Sequence, residues 1–88
     1  MKAPAITVFY RKLGKEKARG LAFVDKREIH IDSRLVGKEL LYVLVHEIMH
    51  VQNGKWAEIK VEGHSKEMAD ILWNEMIKKM GIVNDKII

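Results

Sequence analysis

The chain has 88 residues, enough for one small domain with one core and not for a catalytic domain beside a separate recognition domain. It contains no cysteine, which excludes disulfides and thiolate metal sites, so any bound metal is held by nitrogen and oxygen. The 16 Lys+Arg against 12 Asp+Glu leave a net charge of +4, a mild excess that favours anionic partners only weakly.

Taken in chain order, Ala5 to Tyr10 is rich in β-formers and predicts a strand. Arg11 to Gly20 is charged and punctuated by Gly14 and Gly20, which predicts a loop. Leu21 to Val24 and Glu28 to Asp32 flank Asp25-Lys26-Arg27 and predict a short hairpin. Ile29 and Ile31 alternate with polar neighbours, so His30 belongs to the opposite, solvated face. A first helix is expected from Val36 or Gly37 to about Gln52, stopped by Asn53-Gly54 through their tolerance of left-handed backbone. Ser33 is a possible cap for a turn just before it. Lys55 to Gly63 reads as a connection, packed down by Trp56, Ile59 and Val61. A second helix is expected from His64 or Ser65 to Met80, closed by Gly81. Met68, Leu72, Met76 and Met80 repeat every four residues and predict its core face. Ile82 to Ile88 reads as a short tail. The expected fold is α+β: a small antiparallel sheet of about three strands packed on two helices, in a single domain over 1–88 with its core at about 20–80.

The motif that bears chemistry is His46-Glu47-Ile48-Met49-His50, an HExxH string inside an apolar helical run. Residues four apart share a helix face, so both imidazoles can grip one ion. Glu47, directly after the first histidine, can reach a water on that ion and act as a general base. The run Leu40-Leu41-Tyr42-Val43-Leu44-Val45 carries no charge, so this helix is expected to be buried. Two histidines and a glutamate on a buried helix need partners, and one metal ion is expected to satisfy all three. Two core histidines bonded to backbone or carboxylates are the competing reading.

A catalytic zinc takes three protein ligands and leaves a fourth position for water. The candidates beyond His50 are Glu58, Glu62, His64, Glu67 and Asp70. His64 is preferred, because it continues the Met68–Leu72 stripe toward the first helix. Glu67 and Glu62 are the carboxylate alternatives.

The stretch from about Gly20 to Met80 resembles the SprT-like (Spartan) zinc metallopeptidases. The matching parts are a hairpin strand Arg27-Glu28-Ile29-His30-Ile31, the HExxH at 46–50, and Gly63-His64 ahead of another helix. The resemblance implies His46, His50 and His64 as zinc ligands and Glu47 as the base. The chain departs from that family in having no helix before the hairpin and no cysteine zinc ribbon after the core. Val51 replaces the small residue that usually follows the second histidine, and Gly-His-Ser replaces Gly-His-Gly.

The expected function is zinc-dependent hydrolysis of peptide bonds in a protein or peptide substrate, with activity that could depend on a partner. The alternative is a non-catalytic zinc-binding module associated with nucleic acid or a protein partner. Tyr42 and Tyr10 are the tyrosines considered for oxyanion stabilisation. An exposed hairpin edge could pair with an extended substrate. DNA binding by this domain is expected to be weak or absent, because its basic residues are scattered. Pro4, Thr7, Arg11 and Lys12 interrupt the early apolar segment, which argues against a signal peptide. No apolar run is long enough to span a bilayer, and a cytoplasmic location is the expectation.

Overall fold

A computed structural model describes residues 4–80. They form β1 (Thr7–Arg11), β2 (Gly20–Phe23), β3 (Glu28–Asp32), α1 (Gly37–Gln52) and α2 (Glu58–Met80). The class is α+β, as expected. The sheet is mixed rather than antiparallel. β3 is central: β2 pairs with it antiparallel, Ala22 opposite Ile29, and β1 pairs with it parallel, Val8 opposite Ile29. Parallel neighbours need a crossover. Here the crossover contains β2, because the loop after β1 returns along the end of β3 before the hairpin begins. That loop is anchored. Leu13 is fully buried, and its N–H donates to Asp32 Oδ2 at 3.3 Å. The Asp32 N–H donates to the Arg19 carbonyl at 2.8 Å, and the Ser33 N–H to the Arg11 carbonyl at 3.0 Å. The start of β2 is therefore fixed against the end of β3.

The alternation of β3 sorts its side chains as the sequence implies. Ile29 and Ile31 are fully buried beneath α1, packed with Val43 and Val51. His30 points to the other face, but it is half-buried rather than solvated. Its ring lies between Phe9 and Phe23 at centroid distances of 5.1 and 4.8 Å, and its Nδ1 accepts from Arg11 Nε at 2.8 Å.

α1 lies between the sheet and α2. Val43 and Val51 face the sheet; Val45 and Met49 meet Val61 of α2. Ser33 lies in the turn before α1, and the helix cap position is Val36, with no side-chain hydrogen bond. Asn53 ends the helix in another way than left-handed backbone, having φ −130°. Its backbone N–H and its side-chain amide both donate to the Met49 carbonyl, at 2.8 and 3.2 Å.

α2 departs most from expectation. It starts at Glu58, so Gly63 and His64 lie inside it. Its buried line is Val61, Ser65 and Ala69, spaced every four residues on one face. Met68, Leu72, Met76 and Met80 are exposed, as are Ile59 and Ile71. Helix phase is set by the face that fits against α1, and the larger apolar side chains lie off that face. The short tail expected over Ile82 to Ile88, and the stop at Gly81, lie outside the described residues.

Candidate metal centre

His46 and His50 stand one turn apart on α1 with their rings 4.9 Å apart. The first residue of α2, Glu58, reaches both. Its Oε2 is 3.2 Å from His46 Nε2 and its Oε1 is 2.7 Å from His50 Nε2, while the two Nε2 atoms are 3.2 Å apart. Among the described residues this is the group of three that could hold a metal ion. Its spacing suits one. Four-coordinate zinc with bonds of about 2.0–2.1 Å separates its ligand atoms by about 3.3 Å. Two imidazoles and a carboxylate are also an ordinary catalytic donor set. His46 Nδ1 is buried with no hydrogen-bond partner among the described residues.

His64, the preferred third ligand from the sequence, is not brought to this group. Its ring stacks on Trp56 at 4.9 Å, and it lines a separate surface depression with Ile59, Lys60, Gly63 and Glu67. The reason is helix phase. With about 100° per residue, His64 is about 120° around α2 from Glu58. The stripe that His64 continues is the exposed one. Glu67 shares His64's side of the helix, and Asp70 is paired with Lys38 at 2.7 Å. Glu62, one turn after Glu58, lines the cavity beside His46. Glu58 was within reach of sequence reasoning, but it required the helix to begin six residues earlier than Gly63-His64 suggested.

Glu47 is buried, with 8 % of its surface exposed, on the side of α1 that faces β2. Burial pushes its carboxyl up to about 7; the nearby His50 opposes the rise and Glu58 adds to it. Two cavities meet at His46, Glu47 and Glu58. A smaller polar one, about 170 Å³, is lined by Arg19, Gly20, Tyr42, Val43, Glu58 and Glu62 with His46 and Glu47. A larger one, about 340 Å³, runs along β2 past Leu21, Ala22 and Val24 to His50. Glu47 borders both.

Gly20 is a site residue that the motif gives no hint of. A Cβ there would lie 2.8 Å from Val43 Cγ1, 2.8 Å from Glu47 Cγ and 2.9 Å from Glu47 Oε2. The backbone of β2 thus packs directly against the Glu47 carboxylate. Tyr42, one turn before His46, has its ring 5.6 Å from the His46 ring and is half-buried in the smaller cavity wall. Burial, with Glu62 as the strongest neighbouring charge, raises its phenol above the ordinary value. Tyr10 stands exposed on β1, away from the cavities described here.

Comparison with family models, with curated proteins and with solved structures returns no match. No described helix is long and apolar enough to cross a membrane.

Proposed function

We propose that the chain is a zinc-dependent peptidase whose metal ligands are His46, His50 and Glu58 and whose general base is Glu47. The observation that carries this reading is the three-sided cluster of ligand atoms, 2.7–3.2 Å apart, with a buried carboxyl from the adjacent residue bordering the same cavity. Zinc in this cluster would supply Lewis acidity to water and to the scissile carbonyl. Glu47 takes one proton from the attacking water as its oxygen bonds to the carbonyl carbon. The same carboxyl then delivers that proton to the amine nitrogen as the C–N bond breaks. The flank of β2 beside the larger cavity offers room for an extended peptide.

Metal analysis of purified variants tests the ligand set. His46→Ala, His50→Ala and Glu58→Ala should each lose the metal and lower thermal stability, because binding and folding are linked. His64→Ala, Glu62→Ala and Glu67→Ala should keep it. Glu47→Gln should keep the metal and lose peptide cleavage. Full zinc retention in Glu58→Ala would refute the proposed third ligand. Cleavage undiminished in Glu47→Gln would remove Glu47 from the mechanism.

A further inference from the structure

We infer that Tyr42 is a catalytic residue of this site, whose phenol donates a hydrogen bond to the oxygen of the scissile carbonyl as charge develops there. The inference rests on the peptidase reading above and adds to it the group that stabilises the transition state.

Metal-assisted hydrolysis places negative charge on the carbonyl oxygen, and a fixed donor aimed at that oxygen is a large contributor to rate. The donors available are limited by the walls of the two cavities. Apart from the histidines, their side chains offer two donors, Arg19 and Tyr42. Arg19 is largely solvent-exposed and is engaged in an ion pair with Glu39. Tyr42 is half-buried, sits on the same face of α1 as His46, and lines the smaller cavity together with His46, Glu47 and Glu58. No hydrogen bond from its hydroxyl to another described residue occupies that donor. Packing also supports the placement. Tyr42 packs against the sheet core formed by Ile29, Ile31, Val43 and Val51, and its ring rests on His46. A side chain on a packed helix keeps its geometry better than one on a loop.

The step balances within the site. The water oxygen bonds to the carbonyl carbon, and the π pair moves onto the carbonyl oxygen, which accepts the Tyr42 O–H. Glu47 receives the water proton. On collapse the C–N bond breaks, the amine nitrogen takes the proton from Glu47, and Tyr42 keeps its own proton throughout.

Tyr42→Phe removes the hydroxyl alone. The zinc-loaded parent and variant are compared on a mixed fluorogenic peptide library, and by binding of N-phosphoryl-leucyl-tryptophan, whose tetrahedral anionic phosphorus resembles the transition state. Unphosphorylated leucyl-tryptophan serves as the ground-state control. Binding is normalised to zinc-loaded protein. The variant should keep its zinc and melting temperature. Its kcat should fall by about 10²–10³-fold with KM little changed. Its affinity for the phosphoryl dipeptide should fall by at least about tenfold, with no change for the control. A variant that cuts and binds like the parent overturns the role of Tyr42 and leaves the peptidase reading intact. Equal losses for the phosphoryl dipeptide and the control also overturn it, since they mark a merely structural residue. A zinc-loaded parent that cleaves nothing in the library overturns both readings.

Discussion

Gly20→Ala is the substitution whose outcome follows most directly from atomic positions. The new methyl would lie 2.8 Å from Val43 Cγ1 and 2.8 Å from Glu47 Cγ, where carbon pairs normally rest about 3.5–4.0 Å apart. About 1 Å of overlap must be relieved. β2 cannot slide easily, because Gly20 is paired with Ile31 and β3 is held beneath α1 by Ile29 and Ile31. Val43 is itself in that core. The Glu47 carboxylate is the movable group, since its Oε2 would be only 2.9 Å from the methyl. Overpacking of this kind costs about 1–3 kcal/mol. For a domain of this size that is a fall in melting temperature of roughly 4–20 °C. Displacing the base by about 1 Å should cost about 10²-fold in cleavage rate. The ligand atoms are not among the atoms the methyl strikes, so zinc content should hold. Gly63→Ala is the matched control. A Cβ there meets nothing within 4 Å, and the position is inside α2, so the variant should be more stable by about 0.5–1 kcal/mol. Melting curves, metal analysis and peptide cleavage decide the matter. A Gly20→Ala protein that melts and cleaves like the parent would refute the packing argument.

Three further outcomes are expected. Ser65 is fully buried with its hydroxyl unpartnered among the described residues, so Ser65→Ala should be neutral or stabilising by about 1 kcal/mol in urea denaturation, whereas clear destabilisation would mean the hydroxyl has a partner after all. The Asp32 carboxyl is held well below the usual carboxylate range, first by the Arg34 guanidinium and then by backbone N–H groups of Arg34 and Leu13. A depressed folded-state value contributes stability that is complete above the unfolded value, about 3.9, and is lost as pH falls toward the folded one. Asp32→Asn, measured metal-free, should therefore be less stable than the parent near neutrality, with the gap closing below about pH 4; a gap independent of pH would remove the ionic contribution. Binding to labelled DNA near physiological salt should be weak, because Arg11 and Arg19 at the edges of the lysine-bearing loop are already paired with Glu16 and Glu39, and tight binding lost on neutralising Lys12, Lys15 and Lys17 would reverse this expectation.

What could be read from the sequence and what could not divides along a physical line. Elements governed by local chemistry were legible: the alternation of Ile29 and Ile31, the turn between β2 and β3, and the uncharged run that buries α1 and presents His46 and His50 on one face. Elements governed by which surface wins a packing contest were not. The parallel partnership of β1 with β3 depends on how the loop from Lys12 to Arg19 returns across the sheet end, and its anchor is one buried leucine and the hydrogen bonds around Asp32. The third ligand failed for the same reason. Hydrophobicity favoured the Met68–Leu72–Met76 stripe, and His64 falls in line with it. The face that packs on α1 is instead Val61, Ser65 and Ala69, and that phase brings Glu58 to the histidines while His64 turns to Trp56. The phase of α2 on α1 therefore decides which residue can complete the metal centre.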